Sequence, residues 1–154
     1  MPPRETLFTK MINLLTGIDS TSAALNAERI RMDVVSQNIA NVNTTRGLNG
    51  RPYQRQQVIF ESVLKNAAQP GAAPGAQPES VRVTRVETAK RPPRLVYQPG
   101  HPDADGNGMV ALPNVNIHEE MVDLMAASRA FEANLSVVKT AKSMALQTLS
   151  IGKR

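Results

Sequence analysis

The residues best placed to do chemistry lie between Pro102 and Pro113. Asp103, Asp105, Asn107 and Gly108 match the opening D-x-D-x-N-G of a calcium-binding turn, in which short carboxylates and amides at alternate positions point at the cation. The twelfth position of such a loop should supply a bidentate Glu, and here it is Asn114. Pro92, Pro93 and Pro99 also deny the helix that should precede it. The stretch reads as a turn-rich connection of Asp, Asn and Gly. The two histidines are His101 and His118. His118-Glu119-Glu120-Met121-Val122 sets a base beside two acids but lacks the second His of a zinc-protease helix. With no Cys, thiolate metal sites and disulfides are excluded. A nucleophile elbow, a phosphate loop and a dinucleotide fingerprint are all missing. The expectation is a non-enzyme with no catalytic residue, no cofactor and no metal.

The element that carries His118 is more informative. Ile117, Met121, Leu124, Ser128, Phe131, Leu135, Val138, Lys142, Ala145 and Leu149 alternate steps of four and three. That register keeps one stripe of a helix on one partner. Ala127, Ala130, Asn134, Val137, Ala141, Met144, Thr148 and Ile151 form a second stripe beside it. Two adjacent seams need at least two neighbours. An assembly of copies or relatives and a wide-faced helix in an ordinary bundle both fit. Asn116 and Glu119 have the spacing of a capping box. Glu119, Glu120 and Asp123 suit the start of the helix dipole, and Lys153 and Arg154 suit its end. A helix over 117–151 would be about 52 Å long, so it must be packed along its length to be stable.

A second amphipathic helix is predicted from Ser22 to about Val42. Ile18, Leu25, Met32 and Ile39 recur at sevens, and Ala27, Ile30, Val34 and Val35 widen the face. Residues 1–17 read as a separate mixed lead-in, interrupted at Gly17. Gly47 is placed to close the helix end in a left-handed conformation, and Asn49-Gly50 signals a tight turn. Strands are predicted at 53–61, 81–86, 95–97 and 109–112. Residues 66–79 are a low-complexity run of Ala, Gln, Pro and Gly, read as a mobile loop or linker. The expected fold is mainly α with a small β insert: long N- and C-terminal helices pairing as an antiparallel coiled-coil-like hairpin, with a short β-containing head between them. The expected division is a lead-in 1–17, a helix segment 18–46, an insert 47–113 and a helix segment 114–154. The candidate assembly interface is Leu25, Met32, Val35 and Ile39 on the first helix, and Ile117, Met121, Leu124, Phe131, Leu135, Val138, Ala141, Met144 and Leu149 on the second.

The totals agree. The chain has 154 residues, enough for one domain, with only two Tyr, three Phe and no Trp. Cores filled with Ala, Val, Leu, Ile and Met suit helix-on-helix contact. The net charge of +5 is scattered and interleaved with acids, and no nucleic-acid signature accompanies it. No apolar run is long enough for a transmembrane helix. The N-terminal stretch, broken by Lys10 and Asn13, is a poor secretory signal. On residues alone, a cytoplasmic coiled-coil adaptor or chaperone-like binding module is the alternative to an assembling subunit.

Ser36-Gln37-Asn38-Ile39-Ala40-Asn41-Val42-Asn43-Thr44-Thr45 resembles the N-terminal signature of bacterial flagellar axial proteins. Asn114-Val115-Asn116, Glu119 to Leu124 and Ser128-Arg129-Ala130-Phe131-Glu132-Ala133-Asn134 resemble their C-terminal signature. Arg91-Pro92-Pro93-Arg94-Leu95-Val96-Tyr97 and the Pro99 to Asp105 run resemble the proximal-rod family called FlgC. The resemblance covers Ile18 to Lys153; the lead-in Met1 to Gly17 is longer than the family usually shows, and the 66–79 loop matches no motif of it. It marks Asn38, Ala40, Asn41, Thr44, Asn114, Asn116, Glu120, Arg129, Glu132 and Asn134 as family-signature positions. It implies a structural subunit of the flagellar basal-body rod, the hollow drive shaft that crosses the periplasm, transmits torque and encloses the export channel. The terminal helices would form its inner tube, with the insert outside. Implied partners are copies of itself, other rod proteins, the MS-ring/FliE base and, in transit, the flagellar type III export apparatus. Export without a cleavable signal peptide follows from the same resemblance.

Overall fold

The absence of Pro between Arg4 and Arg51 leaves nothing to break a helix there, and the chain uses that freedom. The computed structural model describes residues 4–47, 49–63 and 80–151, with side chains for 17–47, 49–61, 83–148 and 150. Helix α1 runs over Arg4–Ala40, 37 residues. It passes through Gly17, so the predicted break between a lead-in and a helix from Ser22 is corrected. A helical Gly costs only about 1 kcal/mol relative to Ala, and Thr21 Oγ1 donates back to the Gly17 carbonyl at 2.7 Å. The strands are β1 (Gln56–Val63), β2 (Ser80–Thr88), β3 (Arg94–Tyr97) and β4 (Met109–Leu112), and α2 spans Ile117–Ile151 as predicted. The chain is mainly helical with a small β insert. The predicted loop 66–79, the side chain of Leu149, and Lys153 and Arg154 lie outside the described residues.

The strands form two separate two-stranded sheets, β1 with β2 and β3 with β4. The latter pair is antiparallel, with Arg94 opposite Leu112 and Tyr97 opposite Met109. Its pleat alternates as period two requires: Leu95 and Tyr97 are exposed, while Val96 is half-buried opposite fully buried Val110. Gly108 takes φ +73 where the hairpin closes, and a Cβ there would lie 3.0 Å from the Tyr97 ring and 3.2 Å from Pro99 Cβ.

By its internal contacts the chain divides into two compact units. The first comprises Met1–Arg29, Phe60–Val83 and Arg129–Arg154; the second comprises Ile30–Ile59 and Thr84–Ser128. In the second unit α1 ends at Ala40 and the chain turns through two short bonds, Val42 N–H to Ile39 O and Thr44 N–H to Asn41 O. Gly47 does not take the left-handed conformation expected of it. Gly50 does, with φ +67, in a turn closed by its N–H on the Gly47 carbonyl at 2.9 Å. Strand β1 starts three residues later than predicted. Tyr53 N–H is taken by the Thr44 carbonyl and Gln56 N–H by the Asn38 side chain, so this segment bonds to the end of α1 before it bonds to a strand.

Candidate assembly site

Two polar side chains in the second unit are fully buried, Asn38 near the end of α1 and Glu120 in the first turn of α2. Burial without partners would cost each several kcal/mol. Both are saturated. Asn38 Nδ2 donates to the Gln56 carbonyl at 2.8 Å and to Glu120 Oε2 at 2.9 Å. Its Oδ1 accepts from Tyr53 OH and from Gln56 N–H, both at 2.9 Å. One amide thus satisfies two backbone groups of the segment entering β1, a tyrosine and a carboxylate. Arg55 Nε donates to Glu120 Oε1 at 2.6 Å. Its outer arm reaches 3.8 Å from Asp123 Oδ2, and Arg31 of α1 donates to the other Asp123 oxygen at 3.2 Å. Burial raises the Tyr53 pKa above its ordinary 10.0, and the Glu120 charge raises it further.

This cluster joins α1, the Tyr53–Gln56 segment and α2 by directional bonds. Asn38 pairs with Glu120 and Arg31 with Asp123, so these ends of α1 and α2 run in opposite senses. The start of α2 is fixed by a cap: His118 N–H bonds Asn116 Oδ1 at 3.1 Å, and Asn116 Nδ2 donates to Glu119 Oε1 at 3.1 Å. Glu119 therefore reaches the cap's side chain instead of its backbone N–H. Other signature positions hold turns. Asn41 Nδ2 donates to the Gln37 carbonyl, Thr44 Oγ1 donates to Asn41 Oδ1, and Asn114 Nδ2 donates to the Pro92 carbonyl. Ala40, Arg129 and Glu132 are exposed, and Asn134 is half-buried.

The burial of α2 revises the two seams. Every residue of the line Glu120, Leu124, Ala127, Phe131, Asn134, Val138, Ala141, Ala145 is buried or half-buried. This line also alternates four and three, but it draws members from both stripes. Left over and exposed are Ile117, Met121 and Leu135 of the first stripe, and Val137 and Met144 of the second. Met125 and Leu146, which the periodicity did not single out, are exposed too. On α1, Leu25, Met32 and Ile39 are half-buried, while Ala27, Val34, Val35 and Asn38 are buried. Of the α1 candidates only Val35 is fully inside. In the first unit, Gly17, Ile18 and Thr21 of α1 and Val137, Val138, Ala141 and Met144 of α2 line an apolar groove of about 420 Å³.

Sequence reasoning missed Arg55 and Tyr53; it read Glu120 as a dipole acid, and the resemblance marked Glu120 and Asn38 as signature positions without pairing them. Partners 65 residues apart leave no periodic signal. The calcium-like run resolves into turn chemistry. Asp105 Oδ1 accepts from the N–H groups of Asn107 and Met109, both at 2.9 Å. Asp103 Oδ2 accepts from Thr45 Oγ1 at 2.7 Å, and His101 Nδ1 accepts from Asp103 N–H. Among the described residues no three His, Cys, Asp or Glu converge as a metal set, and no helix is long and apolar enough to cross a membrane.

Comparison with known proteins adds the context. Residues 18–46 match the family described as flagella basal body rod protein, and residues 107–151 match that described as flagellar basal body rod FlgEFG protein C-terminal. The flagellar basal-body rod protein FlgC of Borreliella burgdorferi is 43% identical over 149 residues, covering 91% of this chain and 98% of the relative. FlgC of Salmonella typhimurium is 42% identical over 140 residues, covering 91% and 98%. FlgC of Bacillus subtilis is 39% identical over 148 residues, covering 89% and 97%.

Proposed function

The chain belongs to the FlgC family and is a structural subunit of the flagellar basal-body rod, and we propose that the uncovered apolar residues of α2 are the surface through which it assembles. The observation that carries this reading is the remainder on α2. Ile117, Met121 and Met125 follow one another at four-residue steps and stay 39%, 46% and 59% exposed, beside a stripe that is already covered. An apolar row of this kind marks a contact surface. Copies of the chain and other rod proteins cover it in the rod, at whose base lie the MS ring and FliE.

In this reading α1 and α2 pair as an antiparallel coiled-coil-like hairpin that forms the axial core, from 18–46 and 114–154, and 47–113 is a separate insert. The helices line the channel of a torque-transmitting shaft that spans the periplasm. The subunit travels through the type III export apparatus without a cleavable signal. Long helices without partners are marginal in water, so a chain exported unfolded gains its last burial on docking. The relatives are structural rod proteins, and no enzymatic role enters the reading. An adaptor of the cytoplasm would not share 39–43% identity with rod proteins over about nine-tenths of its length.

The test is Leu135→Asp. Leu135 is exposed at 36%, so the charge does not enter the subunit's own core, as it would at half-buried Phe131. The expected outcome is a secreted, folded subunit that fails to enter the rod, and cells that do not swim. Normal swimming by this variant would defeat the assignment of the surface.

A further inference from the structure

Three arginines of the second unit line one small cavity. About 140 Å³ in volume, it is lined by Pro52, Tyr53 and Pro93 together with Arg51, Arg55 and Arg91. The three cations are not equivalent. Arg55 is committed inward to Glu120 and Asp123. Arg51 and Arg91 are exposed, and neither side chain has an ion pair or hydrogen bond among the described residues. The chain beside Arg91 carries one sign of charge: Lys90, Arg91 and Arg94 follow one another with no acid between Ala89 and Gln98. The lining is also stiff. Pro92 and Pro93 hold Arg91's neighbours extended, and Asn114 Nδ2 ties the Pro92 carbonyl from α2's side of the chain at 3.2 Å.

A guanidinium recognises a carboxylate through two parallel N–H donors. Two unanswered guanidiniums in the lining of one small notch that also includes Pro52, Tyr53 and Pro93 fit a carboxylate on a short apolar stem. The small volume admits a side chain end-on, whereas an anionic membrane surface would meet a flat, flexible face of lysines. We propose that this notch takes the carboxylate of an Asp or Glu side chain presented by a neighbouring protein chain, with Arg51 and Arg91 as the arms that hold it. The proposal rests on the rod-subunit reading for the neighbour being a protein of the rod.

The test uses the full chain. A fluorescent tetraglutamate peptide is titrated against the purified protein, with tetraglutamine peptide and inorganic phosphate as competitors. Saturable binding is expected, weakened about fivefold by Arg51→Gln and about fivefold again by Arg91→Gln. Neither competitor should displace the peptide at equal concentration. Arg46→Gln, an exposed arginine off the cavity, should bind as the parent does. Absence of saturable binding, unchanged affinity in the double glutamine variant, or displacement by phosphate overturns the proposal. A collapse of the variants' melting curves makes the arginines structural and overturns it too. In cells lacking the gene, Arg51→Glu/Arg91→Glu is expected to block swimming and Arg51→Lys/Arg91→Lys to restore much of it. Normal swimming by the charge-reversed strain sinks the notch but leaves the rod reading standing, because loss of rods in the gene deletion reports on that reading independently.

Discussion

Replacing Glu120 by Gln keeps the side chain's size and removes its charge, and it asks how much the buried polar cluster contributes to the second unit. Glu120 is fully buried, with one oxygen accepting from Arg55 Nε at 2.6 Å and the other from Asn38 Nδ2 at 2.9 Å. A glutamine amide has one oxygen and one NH₂ group. Turned one way, its NH₂ faces the Asn38 amide nitrogen; turned the other, it faces Arg55 Nε. Two donors meet in either orientation. Removing one partner of a buried ion pair costs about 3–5 kcal/mol. Arg55 keeps 19% exposure and has Asp123 within 3.8 Å, so water and that carboxylate recover part of the loss. The expected cost is about 2–3 kcal/mol, or roughly 5–10 °C in melting midpoint for a chain of this length. Circular dichroism with tyrosine emission reads it. The chain has no Trp and two Tyr, one of which sits in the cluster. Glu120→Leu combined with Arg55→Leu should lose less than the two single changes summed, because no charge is then left buried alone. A Glu120→Gln protein that melts with the parent, or a strictly additive cycle, would refute the reasoning.

Two further outcomes follow from the same geometry. Tyr53 titrates above its ordinary 10.0 in the folded chain because of burial first and the Glu120 charge second; its contribution is present below that unfolded value and is lost as pH rises through the folded one. Urea midpoints should therefore fall as the solution becomes alkaline past about pH 10, with a shallower fall in Tyr53→Phe; equal slopes would remove Tyr53 as the cause. Two glycine replacements should differ in sign. Gly17→Ala meets nothing within 4 Å in a helix interior and should stabilise α1 by about 1 kcal/mol, whereas Gly108→Ala, at φ +73 and 3.0 Å from the Tyr97 ring, should cost about 1–3 kcal/mol by thermal melting.

How much of this was legible depends on whether the signal was local. Helix α2 matched to the residue because its start is a capping pair and its length is one unbroken period. The short strands β3 and β4, the turn-rich run between them and the Asn49-Gly50 turn were legible for the same reason, because turn residues act on their own neighbours; the pairing of β3 with β4 was not predicted. Helix α1 was misjudged at Gly17 because a single Gly is a weak breaker, and flanking helix formers outweighed it. Gly47 was misread because the chain leaves α1 through short turns and the Asn41–Thr44 bond, with no need of a left-handed cap. The resemblance marked Asn38 and Glu120 of the buried polar cluster, but nothing in the sequence joined them to each other or to Arg55 and Tyr53. The cluster's members are polar, they fall outside any apolar period, and their partners are remote in the chain.

That last point also explains the seams. Periodicity ranks residues by apolarity, so on α2 it split the buried line between two stripes and left out Glu120, with which that line begins. Burial chose that poorer line because Asn38 and Arg55 supply bonds that only a carboxylate at position 120 can accept. Directional bonds thus set which face of the helix start turns inward, and small residues such as Ala127 and Ala141 let it pack there. A stripe chosen this way leaves Ile117 and Met121 on one flank and Val137 and Met144 on the other without cover. A monomer selected for its own stability would bury its larger apolar residues first. The proposed assembly surface accounts for the opposite choice: the chain buries a carboxylate and an asparagine within itself and leaves those larger residues exposed.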